Sequence, residues 1–166
     1  MDEGNAQQVK QLRTLVIIQL TVTAVFATLL SLALGGTDEP FPPWWAVAGL
    51  LVVLIAAVVN VERSWTRIPP LPAGLDTDAA LTAALSHYQR HLARALLLLE
   101  LPFLLAVLYA FVMPYGGWPI IIVAIATVVA IAVETWPTVR NTTRIATALE
   151  ADGASSGLVE AFDSRP

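Results

Sequence analysis

Four separate stretches of about twenty residues carry almost no side chain that water would hold, and this limits what the chain can become more than anything else in it. They run from about 14 to 34, 44 to 61, 92 to 113 and 118 to 136. A bilayer hydrocarbon core about 30 Å thick is crossed by roughly 20 residues at the helical rise. In lipid each backbone polar group must find its partner within its own segment, so each stretch has to be a helix. Composition agrees: 57% of the residues are hydrophobic, 13% are charged and the mean hydropathy is +0.70, outside the range of ordinary soluble domains. The reading is an all-α integral membrane four-helix bundle.

The connections give an orientation. The segments GGTDEPFPP (35–43) and MPYGGW (113–118) are short and lack Lys and Arg, whereas the connection over 61–91 is long and basic. Lys10, Arg13, Arg63, Arg67, Arg90, Arg94, Arg140, Arg144 and Arg165 all flank that long connection or lie toward the chain ends. The Lys/Arg bias of short loops then places both termini and the long loop in the cytoplasm of a multi-pass protein of the plasma (inner) membrane. MDEGNAQQVKQLRT puts acids and amides ahead of the first apolar run, so that run reads as a retained span. Trp44, Trp45, Tyr115 and Trp118 are expected at the outer interface, and Trp65, Tyr88 and Trp136 at the inner one.

Within the long connection, Ile68-Pro69-Pro70-Leu71-Pro72 blocks helix, and Asp76 to Asp78 supply an N-cap for a new one. Leu81, Leu85, Tyr88 and Leu92 recur at three- and four-residue spacing. They predict a cytoplasmic amphipathic helix, lying against the membrane or leading straight into the third span as one helix from about Asp78 to Met113. The bundle occupies residues 1–148, and the acidic, glycine- and serine-containing segment 149–166 is expected to be a disordered cytoplasmic tail.

Lipid is as apolar as leucine, so helices meet through small residues and polar contacts. Gln19, Thr23, Ala27, Ser31 and Gly35 follow one another at four-residue intervals and form a seam along the first span; Ala126, Ala130 and Glu134 do the same on the fourth. Glu100 lies six residues beyond Arg94, about 9 Å into the hydrocarbon. A carboxylate there costs at least ~2.5 kcal/mol, so it must face the interior and find a partner, Gln19 or Asn60. Gln19, Asn60, Glu100 and Glu134, one from each span, predict a buried polar layer near the cytoplasmic side. Pro102 leaves the Leu98 carbonyl without its helical donor and predicts a kink.

The chemical vocabulary is thin. There is no cysteine, which removes thiolate chemistry, disulfides and sulfur-ligated metals. His87 and His91, at i and i+4, are a weak metal candidate for which the sequence places no third ligand, although Glu62 could approach through the fold, and Arg90 and Arg94 repel a cation there. The same segment reads better as part of a basic cytoplasmic rim of Arg63, Arg67, Arg90, Arg94, Arg140 and Arg144, where attraction to anionic headgroups is worth about 1 kcal/mol per residue. No catalytic constellation, phosphate-binding loop or cofactor motif is present, and no nucleic acid is expected as a partner.

The run from Arg90 to Pro102 resembles the membrane-associated eicosanoid and glutathione metabolism family, four-span enzymes with arginines ahead of a Glu and a Pro in an inner helix. The match rests on Arg90, Arg94, Glu100 and Pro102 alone. Leucine stands where that family places asparagine, and the segment is the third span instead of the second. The expectation is therefore an accessory or scaffold subunit, or a homo-oligomer, in contact with membrane lipids. The alternatives are an oligomeric channel or proton-coupled transporter using Glu100, and a membrane enzyme acting on a lipid or anionic substrate.

Overall fold

The computed structural model describes residues 3–65 and 67–163. They form six helices: α1 (Glu3–Ala33), α2 (Trp44–Trp65), α3 (Thr77–Val112), α4 (Trp118–Thr135), α5 (Val139–Leu149) and α6 (Leu158–Asp163). The described residues contain no strand. Helices α1 to α4 are each long and apolar enough to cross a membrane.

Local chemistry sets the boundaries. Helix α1 ends where Gly35 and Gly36 take φ values of 91° and 62°, and the Gly36 amide closes the last turn by donating to the Ser31 carbonyl at 2.8 Å. After the proline run, the Asp76 carboxylate accepts from the Asp78 amide at 2.8 Å and starts α3. That helix continues through Pro102 to Val112. Trp136 precedes Pro137 and is extended, which stops α4. The Asn141 amide then donates to three carbonyls at the end of α4, those of Val133, Glu134 and Trp136, at 2.9–3.1 Å. Thr138 caps α5, its hydroxyl accepting from the Asn141 backbone.

With 31 and 36 residues, α1 and α3 are about 46 and 54 Å long, well beyond the thickness of hydrocarbon. Their excess lies at one end, termed the basic end because the described Lys and Arg residues gather there. The opposite end holds the 34–43 and 113–117 connections, tied together by the Gly117 amide donating to the Gly36 carbonyl at 2.8 Å. The larger core fills the basic end. Val9, Leu12 and Val16 of α1 meet Trp65, Leu71, Leu85, Tyr88 and Leu92, with Ile145 and Leu149 of α5 and Leu158 and Phe162 of α6. A smaller core of Ala27, Phe103, Ala110, Ile120 and Ala124 lies toward the other end.

Three expectations change accordingly. The face Leu81, Leu85, Tyr88, Leu92 lies against neither membrane nor solvent; it is buried in the larger core because α1, α5 and α6 cover it. Trp65 and Tyr88, expected at the inner interface, are buried in the same core. The segment expected to be a disordered tail is folded through Asp163. Phe162 packs its ring 5.0 Å from Tyr88 under the Arg13 guanidinium, Arg13 donates to the Phe162 carbonyl, and the Ser156 amide and hydroxyl both donate to Glu150. A few apolar side chains at helical spacing, Leu158, Ala161 and Phe162, supply burial that composition averaged over the segment concealed. Ser164 to Pro166, including Arg165, lie outside the described residues.

Candidate functional site

The expected polar layer resolves into separate groups. Glu100 is half-buried on α3 and faces α1: Gln19 Nε2 donates to Glu100 Oε1 at 2.7 Å, and the Thr23 hydroxyl makes a short hydrogen bond to the same oxygen. Gln19 and Thr23 are adjacent members of the four-residue stripe, so one α1 face presents both donors one turn apart. The stripe's next members, Ala27 and Ser31, are buried as well, and Ser31 packs directly against Gly117 at the start of α4. Gly35, the last, is exposed in the turn.

Asn60 does not join Glu100. It is exposed, because α2 buries Leu54, Val61 and Trp65, a face on which position 60 does not fall. Glu134 is buried, but at the basic end of α4. Its charged neighbours there are Glu62, Arg140 and Arg144, and the Glu62 carboxyl and the Trp65 indole approach it as side-chain hydrogen-bonding neighbours. The indole approach falls short of full hydrogen-bond geometry, and Glu134 Oε2 and Trp65 Nε1 are both buried without a formed bond. Ala126 and Ala130 are half-buried; the α4 face that packs is Ile120, Val123, Thr127, Ile131 and Glu134.

The basic rim divides by partner. Glu62 on α2 receives both α5 arginines: Arg144 Nη1 reaches its two oxygens at 2.9 Å each, and Arg140 Nη2 reaches Oε1 at 2.9 Å. This joins α5 to α2. Sequence reasoning missed α5, although Pro137 followed by a threonine cap and apolar Ile145, Ala146 and Leu149 at helical spacing marks a helix. Arg63 lies in the last turn of α2.

Arg67, Arg90 and Arg94 converge elsewhere. With Asn60, Ser64, Ile68, Pro69, His87, His91 and Leu98 they line a cleft of about 500 Å³ between α2, the segment after it, and α3. Among the described residues no carboxylate pairs with any of the three guanidiniums. His91, on the cleft wall, leans its ring against buried Trp65 with centroids 3.7 Å apart and planes tilted by 35°, and its Nε2 lies 3.4 Å from the Ser64 hydroxyl. Both histidines belong to the part of α3 that precedes the apolar stretch. There burial lowers both imidazoles below their ordinary value, His91 to about 4, with Arg90 pushing His87 and Arg94 pushing His91 in the same direction. They enter the cleft as neutral hydrogen-bonding groups. Among the described residues no three His, Asp or Glu side chains are grouped to hold a metal: Glu62 is bound by arginines and His91 is turned onto Trp65.

A second concavity, about 530 Å³, opens between α1 and α4. It is lined by Ala24, Ala27, Thr28, Ser31, Ala124 and Val128 among others, without a charged group. Compared with known proteins, the chain matches no family, no curated protein and no solved structure.

Proposed function

We propose that this chain is a non-catalytic accessory or scaffold subunit of the plasma (inner) membrane, with both termini cytoplasmic, that receives a further transmembrane helix from another subunit or from a copy of itself. The observation that carries this reading is the α1–α4 cleft. Small side chains of α1 and α4, flanked by Leu32, Ile121, Ile125 and Val129, leave a groove of about 530 Å³ in the apolar part of the bundle, where close packing is the main source of helix association in lipid. The internal polar groups support it: Glu100 is held by Gln19 and Thr23, and Glu62 by Arg140 and Arg144, so these acids serve to join helices. The orientation rests on the gathering of Lys and Arg at one end of the bundle. The folded basic end gives such a subunit a firm platform on the cytoplasmic side.

Purification in mild detergent followed by native mass spectrometry tests this. The expected result is a defined assembly that Ala24→Phe, placed on the exposed wall of the cleft, dissociates without unfolding the chain. A wild-type protein that is monomeric and carries no partner refutes the reading. Ion or proton flux in proteoliposomes that disappears in Glu100→Gln while assembly persists replaces it with transport.

A further inference from the structure

The geometry points to a binding site for one anionic phospholipid of the cytoplasmic leaflet in the cleft between α2 and α3, its phosphate held by Arg90 and Arg94 with Arg67 closing over it. This inference uses the membrane placement proposed above and is independent of the scaffold role.

Three observations support it. First, the charge is uncompensated by any carboxylate among the described residues: Arg67, Arg90 and Arg94 line one cleft, and Glu62, an acid at the same end, pairs instead with Arg140 and Arg144. Guanidiniums present paired N–H donors that match phosphate oxygens. Second, neutral polar side chains lie beside them in the cleft, the Asn60 amide and two imidazoles that stay neutral at physiological pH, while the Ser64 hydroxyl is already donated to the Val61 carbonyl at 2.7 Å.

Third, the cleft is graded along the bundle, which separates a lipid from a free anion. Helix α2 runs toward the basic end and α3 away from it. Arg67, Pro69 and His87 therefore form the end farther from the apolar stretch, and Asn60 and Leu98 the end within it. His87 and Leu98 are about 16 Å apart along the helix, enough to pass through the headgroup layer into hydrocarbon. Beyond the arginines, Leu97 and Leu101 are 72% and 50% exposed on α3, and Val59 is exposed on α2, an apolar surface for an acyl chain. A soluble phosphate would need only the upper half.

The test measures lipid binding by native mass spectrometry, with the full chain in mild detergent titrated with phosphatidylglycerol, with phosphatidylcholine, and with inorganic phosphate. Phosphatidylglycerol is expected to bind at a single saturable site, with phosphatidylcholine and phosphate much weaker. Replacing the two central charges in R90Q/R94Q is expected to weaken phosphatidylglycerol binding roughly thirtyfold, whereas K10Q, which removes one charge from the same end outside the cleft, changes it less than twofold. Arg90, Arg94 and Lys10 are all exposed, so folding should survive these changes. N60W keeps every charge and fills the cleft, and should abolish the saturable site. Binding by N60W equal to wild type, equal losses per charge at Lys10 and the arginines, or phosphate binding as tightly as phosphatidylglycerol would each overturn the proposal.

Discussion

A methyl group at position 117 should separate α1 from α4. A Cβ built on Gly117 lies 2.1 Å from the Ser31 hydroxyl, 2.8 Å from the Ser31 carbonyl oxygen and 2.9 Å from that of Gly36. The hydroxyl can rotate away, but the two carbonyls are backbone, fixed by the Gly36-to-Ser31 and Gly117-to-Gly36 hydrogen bonds. Since ordinary contact begins at about 3.4 Å, the end of α1 and the start of α4 must part by roughly half an ångström. Overpacking of this kind costs about 1–3 kcal/mol, and stretching the Gly117-to-Gly36 bond forfeits part of a further ~1 kcal/mol. The expected loss for Gly117→Ala is about 2–3 kcal/mol, read as the midpoint shift in an unfolding titration with sodium dodecyl sulfate in mixed micelles. Gly49→Ala is the internal control. An added methyl there meets nothing within 4 Å, and alanine favours the helix by about 0.5–1 kcal/mol. Adding Ser31→Gly should recover less than half of the Gly117→Ala loss, because the carbonyl contacts remain. If Gly117→Ala matches Gly49→Ala, or Ser31→Gly restores full stability, the close approach is not what holds these helices in place.

The same titration should rank two changes at the α1–α3 clamp. Glu100→Gln keeps a carbonyl oxygen for Gln19 and Thr23 and should cost under about 0.5 kcal/mol, whereas Glu100→Leu leaves the Gln19 amide unpaired and should cost about 1–2 kcal/mol; equal losses would contradict the geometry. Phe162→Ala removes the ring between Tyr88 and Arg13 and should cost about 2–4 kcal/mol while exposing the 150–157 connection to limited proteolysis. Glu62→Gln should cost only about 0.5–1 kcal/mol, because the pair with Arg144 is about a third exposed, and the loss should shrink as salt is raised. Since the chain lacks cysteine, Thr37→Cys and Ala73→Cys can be labelled singly with an impermeant thiol reagent on intact cells; the first should react and the second should react only after lysis.

The sequence alone determined the number of long apolar helices, the break at the proline run, the Asp76 start of α3, and which face of α1 carries polar contacts. Each follows from a local quantity: apolar length against hydrocarbon thickness, a missing amide hydrogen, a capping carboxylate, or a four-residue repeat. Gln19 as the partner of Glu100 was legible because the repeat places it on the packed face at matching depth. Asn60 was misassigned because depth was counted along α2 without its rotation, which Leu54, Val61 and Trp65 decide by packing. Only the tertiary structure decided that the face from Leu81 to Leu92 is covered by protein, that Glu62 gathers two arginines 78 and 82 residues away, and that three other arginines share a cleft with no acid. Which neighbour covers an apolar or charged face depends on the summed contacts of distant segments, a quantity no local window of sequence contains.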